Sequence, residues 1–452
     1  MIIQGHKVLY NNELQPAQVH IADDGDIAGV TLGYDKDLRL QTDELVIDAG
    51  HRIVMPGIVD AHVHVNEPGR TDWEGFETAT KAAAAGGITT IIDMPLNCDP
   101  VTTSVKALEK KIPHAQAENR VNIAFWGGIV PGNQSEIKPM INKGVRGFKA
   151  FLIHSGIDEF PHCAEADLRA AYQELRGTKS VFLFHAEVDC GNTAPSDSES
   201  KHYKTFLDMR PEIMEVEAIK LVIKLCKEYQ VRSHIVHLSA ASALPIIRQA
   251  QKEGVPLTVE TCHHYLTLAS EDVPDGQTEY KCCPPIRSKK NQEALWEALK
   301  DETISMVVSD HSPCTSDLKM KEKGDFMKAW GGVAGLQLGL PLFWTSCRKR
   351  GIPVDKLAEY MSANTAKHAG LMRKVGNNAP GLRGDFVIFD PDQSFTVTKE
   401  MLHHKNKLSP YLGMTLYGVV ETTIVGGAVA YHRETGFPGD NCGKVFLTFP
   451  AM

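Results

Sequence analysis

Two histidines spaced two apart, His62 and His64, lie in the run Ile58-Val59-Asp60-Ala61-His62-Val63-His64-Val65. On a β-strand alternate side chains share a face, so both imidazoles point the same way. Paired imidazoles on a rigid strand are the beginning of a divalent transition-metal site. Two polar residues on a solvent-facing strand would look the same in sequence. The pair therefore needs partners from elsewhere in the chain.

Those partners have to be delivered by the elements that follow. From Ile58 onward eight short apolar or β-branched runs occur, at 58–64, 88–94, 121–126, 145–151, 181–185, 233–238, 257–261 and 304–309. Amphipathic helical stretches separate them, at 74–85, 104–117, 164–176, 215–228, 240–252 and 291–299, with a last one at 333–349. Eight strand-then-helix units predict an α/β fold of the (β/α)₈ TIM-barrel type. A doubly wound open sheet competes, but no Gly-x-Gly-x-x-Gly follows the first run. Residues 1–53 and 382–452 instead carry short strands punctuated by Gly, Asp, Asn and Pro. Because chain ends often lie close together, they are expected to form one composite β-sandwich domain beside a barrel of residues 54–381. The polar stretch 187–211 reads as a mobile loop over the barrel mouth.

In such barrels reactive groups sit at the C-terminal ends of the strands. The first run ends in His62 and His64, the fourth carries Lys149, the fifth ends in His185, the sixth carries His237 and the eighth leads into Asp310. Four imidazoles and a carboxylate exceed the three protein ligands usual at a single catalytic zinc, so two ions with an anionic bridge fit better. Lys149 cannot ligate as an ammonium; a barrel-rim salt bridge is its plainer reading. Buried among cations, however, it is driven towards the neutral amine, which can add carbon dioxide and offer a carbamate oxygen to each ion. Two +2 ions less that carbamate, Asp310 and a bridging hydroxide leave about +1.

Longer motifs carry a resemblance. VDAHVHVNEPGRTDWEGFETATKAAAAGGITTIIDMPLN, GFKAF at Gly147–Phe151, KCCPPIR at Lys281–Arg287, VSDHSP at Val308–Pro313 and MKAWGGVAGLQ at Met327–Gln337 together resemble the cyclic amidohydrolases of the amidohydrolase superfamily. The resemblance spans essentially the whole chain. It implies metal-dependent opening of a ring amide, with His62, His64, Lys149, His185, His237 and Asp310 as ligands of two divalent ions, zinc by preference. N6-carboxylated Lys149 and a hydroxide would bridge the ions, and Asp310 would act as the base. It further implies substrate contacts from the Asn97 side chain and from main-chain groups at Cys282 and Ser312, with His264 and His311 supporting. Dihydroorotases carry Arg where this chain has Asn66, to hold a substrate carboxylate, and they read Met-Pro-Asn-Thr where this chain has Met94-Pro95-Leu96-Asn97. An uncharged hydantoin ring, that of allantoin opened to allantoate, is the substrate implied; a dihydropyrimidine or another hydantoin is the alternative. Members opening the allantoin ring often have Ser at position 66, from which Asn66 departs.

Composition narrows the partners. The chain has 452 residues, 42% of them apolar and 23% charged, with a net charge of −8 and ten cysteines. This is the make-up of a soluble globular protein without the basic surface that nucleic acid requires. No apolar stretch suggests a signal or membrane span, so a reducing, cytoplasmic location with free thiols is expected. A homo-oligomer, dimer or tetramer, is implied by the family.

Overall fold

The eight expected strands are present, at Ile58–Val63, Ile88–Asp93, Asn122–Phe125, Gly147–Phe151, Val181–His185, Ser233–Ile235, Leu257–Cys262 and Met306–Val308. The computed structural model describes residues 1–191, 199–439 and 441–448. The strands run parallel, first with second and second with third, then fourth through eighth in order. Third and fourth are joined through Gly127–Gly128, which pairs with Phe148 and Lys149, and by Arg146 N–H donating to the Phe125 carbonyl at 2.9 Å. The ring closes where Val63 pairs in parallel with His311. Asp60, buried on the first strand, fastens that seam: its carboxylate accepts the main-chain N–H of His62 at 3.1 Å and of Ser309 at 3.2 Å. Burial pushes its carboxyl up to about 6.

Local sequence accounts for the helices between the strands. Ser104 and Ser288 cap the helices Val105–Ala117 and Lys289–Lys300, their hydroxyls accepting from Ala107 N–H and Asn291 N–H, which satisfies donors otherwise orphaned at a helix start. The alanine-rich helix Phe76–Ala85 buries most of its surface and stops at Gly86-Gly87. Gly87 has φ 79°, and a Cβ there would stand 2.6 Å from Val387, so only glycine lets the chain turn tightly into the second strand. Inside the barrel, fully buried Trp126 donates its indole N–H to the Ala61 carbonyl at 2.8 Å.

Both chain ends contribute to a β-sandwich domain built from one eight-stranded sheet. Its order is Ala428–His432, Thr415–Val425, Phe386–Thr396, Ile53–Pro56, Ile2–Tyr10, Glu13–Ile21 and Ile27–Leu32, with Val46–Asp48 also paired to Ile2–Tyr10. The strand Ile53–Pro56 joins the two ends: it runs parallel to Lys7 and Val8 and antiparallel to Phe386–Phe389. Ile3, Val19, Ile27, Phe386, Ile388 and Ile424 meet in a core of their own, each contributing about 1.5–3 kcal/mol by leaving water.

The stretch 187–211 is not a bare loop. It contains the helix Tyr203–Met209, whose Tyr203 and Phe206 are buried. Tyr203 also donates its hydroxyl to the Ile286 carbonyl at 3.1 Å. Apolar packing thus gives order to a segment whose composition is polar; residues 192–198 of it lie outside the described residues. Val333 is likewise strand-like rather than helical, because it bridges His311, and the helix begins at Gly339. Among the described residues no disulfide joins the ten cysteines and no helix is long and apolar enough to cross a membrane.

Candidate metal centre

The side chains named at the strand ends converge inside the barrel mouth. His62 Nε2 lies 3.1 Å from Asp310 Oδ1, and His64 Nε2 lies 3.5 Å from the same oxygen. Lys149 Nζ is 3.2 Å from His62 Nε2. Ligand atoms of His62, His237 and Asp310 all fall within 4.8 Å of one another. His185 joins through His237, its ring edge-on with centroids 4.7 Å apart. All six side chains are buried.

A metal-binding imidazole needs one nitrogen inward and the other held. His62 Nδ1 meets Glu260 Oε1 at 2.5 Å, which turns Nε2 towards Asp310 and Lys149. His64 Nδ1 meets the Asn97 amide nitrogen at 3.3 Å, turning its Nε2 the same way. His185 Nε2 meets Glu187 Oε2 at 2.7 Å, leaving Nδ1 inward. His237 Nδ1 is buried with no partner among the described residues. These are rings arranged to coordinate rather than to satisfy one another.

Charge follows the same logic. Burial pulls His64 down to about 4 and His237 well below the usual imidazole range, so both are neutral and able to donate a lone pair. Burial works against the Asp310 carboxylate, but His62, His64 and His237 more than offset it and hold the group well below the usual carboxylate range. Burial lowers Lys149 to about 8, which makes its neutral amine far more accessible near neutrality than that of an ordinary lysine. His62 differs: Asp310 and Glu260 outweigh its burial and hold it above the usual imidazole range, so a divalent ion would have to displace its proton, while His64, His185, His237 and the Asp310 carboxylate already suit one. The thiols of Cys282 and Cys283 join no ligand cluster among the described residues.

The backbone holds these groups under strain. Asn66, Asn97, His237 and Asp310 have φ of 67°, 69°, 40° and 43°, a region costly for side chains other than glycine. Each stands at or just past a strand end, where the tight turn aims the side chain.

The centre opens into a cavity of about 390 Å³ whose lining includes Asn97, Phe151, Arg210, Cys282, Asp310, Ser312 and Trp330. The Asn97 Nδ2 group is engaged with His64, while its Oδ1 has no partner among the described residues. Ser312 N–H is already donated to the Val333 carbonyl at 3.0 Å, so its carbonyl is the group available to a ligand. The main-chain groups of Cys282 form no backbone hydrogen bond among the described residues. Asn66 does not line the cavity; its amide donates to the Pro313 carbonyl at 3.3 Å. His311 is structural, bonded to Glu74 and to the N–H groups of Gly335 and Leu336. His264 is buried with neither nitrogen partnered among the described residues, and one ligand atom each from Cys262, His264 and Asp310 also cluster within 4.8 Å.

Reading strand ends alone misses Glu260. It sits within the seventh strand, fully buried, and one carboxylate serves three groups: His62 Nδ1, His234 Nε2 at 3.1 Å and His237 N–H at 3.3 Å. A lone acid in the apolar strand Leu257–Cys262 was the signal. Glu260→Gln keeps the shape but loses the charge that faces His62. Metal affinity is expected to fall about 10- to 100-fold, measured by chelator competition on folded protein; unchanged affinity would remove Glu260 from the centre.

A model described as the amidohydrolase family matches residues 53–430. The chain is 54% identical over 370 residues to the mitochondrial allantoinase of Aquarana catesbeiana, covering 82% of this chain and 76% of that protein. It is 44% identical over 428 residues to the allantoinase of Streptomyces avermitilis, covering 94% of each. Among solved structures it superimposes on the L-hydantoinase (dihydropyrimidinase) of Arthrobacter aurescens with a TM-score of 0.90, 29% identity and 99% of both chains covered.

Proposed function

The chain belongs to the amidohydrolase family, and from that premise we propose that it hydrolyses the ring amide of allantoin to give allantoate. The observation that carries this reading is the convergence of His64, Lys149, His185, His237 and Asp310 on one cavity, with His62 packed against Lys149 and Asp310, in a chain whose relatives are allantoinases along most of their length.

His62, His64, His185, His237 and Asp310 would hold two divalent ions, with Lys149, carboxylated at Nζ, supplying an oxygen to each. Zinc suits this donor set best. Such ions, when bound, would lower the pKa of the attacking water and polarise the carbonyl under attack. Asp310 takes the proton of the attacking water and delivers it to the ring nitrogen as the C–N bond breaks, so the amide becomes a carboxylate and an amine-side ureido group. Asn97 and the main chain at Cys282 and Ser312 hold the ring while this happens, and Phe151, stacked on His185 at 4.3 Å, helps to keep bulk water out.

The structural likeness to a hydantoinase favours one second reading, a different cyclic amide. A substrate panel separates the two: purified protein should open allantoin at least about 100-fold faster, by kcat/KM, than dihydrouracil or dihydroorotate. The reverse ranking would reject the assignment. A homo-oligomer in a reducing, cytoplasm-like compartment completes the proposal, and sizing of the purified chain tests its first part.

A further inference from the structure

We propose that Arg210 recognises the exocyclic ureido arm of the substrate, donating from Nη2 and Nε to that arm's carbonyl oxygen. The inference rests on the allantoin reading above and adds to it the residue that selects the arm.

Arg210 lines the cavity beside the centre and also an adjoining hollow of about 340 Å³ bounded by Ile153, Phe206, Met209 and Lys281. Its side chain is 22% exposed. Nη1 donates to Glu187 Oε2 at 2.6 Å, and that same oxygen takes His185 Nε2 at 2.7 Å. The guanidinium is thus fixed one carboxylate oxygen away from a ring of the metal centre. Among the described residues the Arg210 side chain forms no second hydrogen bond or ion pair. Nε and Nη2 of this planar donor fork are therefore uncommitted, on a residue that lines the cavity.

Arg210 is paired with Glu187, its Nη1 2.6 Å from Oε2. What the pair offers a ligand is direction more than net charge, which suits a neutral acceptor such as a urea carbonyl. The other cations on the wall are differently engaged. Lys281 Nζ is taken up by the carbonyls of Met327 and Ala329 at 3.0 and 2.5 Å, and Lys328 Nζ pairs with Asp325 Oδ2 at 3.9 Å.

Position supports the same assignment. Asn97 follows the second strand and touches His64 of the first, whereas Arg210 is tied to His185 at the end of the fifth. First and fifth strands lie opposite each other in an eight-stranded ring. A ring held near Asn97 therefore directs a substituent across the mouth, towards Arg210.

The test compares kcat/KM for allantoin with that for unsubstituted hydantoin, which lacks the arm, in the wild-type chain, Arg210→Gln and Arg210→Lys, with metal content measured on each. Arg210→Gln is expected to lower the allantoin-to-hydantoin ratio about 10- to 100-fold while hydantoin opening and metal content hold. Arg210→Lys, which keeps a cation for Glu187 but loses the fork, is expected to lower the ratio by itself, so the question is answered even if the first variant does not fold. An unchanged ratio, or a parallel fall on both substrates together with loss of metal, would overturn the inference, since Arg210 would then act only through Glu187 and His185. A wild-type chain that opens hydantoin and not allantoin would overturn the substrate reading, and this inference with it.

Discussion

Lys149→Ala is expected to lose most bound metal and about 10³-fold or more in turnover, and to regain part of both when a short carboxylic acid is added. Lys149 is 1% exposed and its Nζ faces His62 Nε2 at 3.2 Å. An ammonium at that point would repel the ions that His62, His64, His185 and His237 are oriented to bind. The alternative is chemically simple: the amine nitrogen adds to carbon dioxide, loses a proton, and one positive charge is replaced by one negative charge shared between two oxygens. Burial lowers Lys149 to about 8, which makes the amine available for that addition. Alanine removes the bridge and leaves a space that acetate or propionate can enter. The loss is large because several kcal/mol of transition-state charge stabilisation depend on the ions. Elemental analysis and allantoin turnover, with and without the added acid, measure it. Full metal and full activity in the variant would eliminate the carbamate.

What the sequence made legible follows from how a barrel is built. Strand ends are the regular positions of the fold, so His62, His64, Lys149, His185, His237 and Asp310 could be picked out by their place in eight similar units, and the structure brings them together. The partners that orient them are not at regular positions. Glu260 lies inside a strand, Asp60 precedes the histidine pair on the first strand, and Glu187 lies two residues past the end of the fifth. Which nitrogen of a ring is held depends on distances across the barrel, from His62 to Glu260 for instance, that no local pattern contains. The same holds for the fold. Ile53–Pro56 went unseen because only Gly57 separates it from the first barrel strand, although it is the strand that unites the two chain ends. The helix Tyr203–Met209 went unseen because it has only 7 residues, set in a polar stretch, and the partner of Tyr203, Ile286, is remote in sequence. Asn66 shows the converse: its identity suggested an uncharged ligand, but its side chain serves the Pro313 carbonyl and does not face the cavity.

Asp310→Asn should leave a folded protein whose turnover is lower by about 10²- to 10⁴-fold, the usual worth of a positioned acid–base group. Asparagine matches the side chain in size, and the φ of 43° at this position is one that asparagine tolerates well. The amide still offers an oxygen towards His62 and His64, which Asp310 Oδ1 approaches at 3.1 and 3.5 Å. What it cannot do is accept the proton of the attacking water and return it to the leaving nitrogen. The histidines around Asp310 outweigh its burial and keep the carboxylate well below its usual range, so the base is in its proton-accepting form throughout the neutral range and the variant's deficit should not be recovered by raising the pH. Metal content separates the two roles of the residue. Two ions retained with turnover lost assigns the deficit to proton transfer, whereas ions lost in proportion to activity assigns it to coordination. A variant with wild-type kcat would show that the proton travels by another route, for which the unpartnered imidazole of His264, clustered with Cys262 and Asp310, is a candidate.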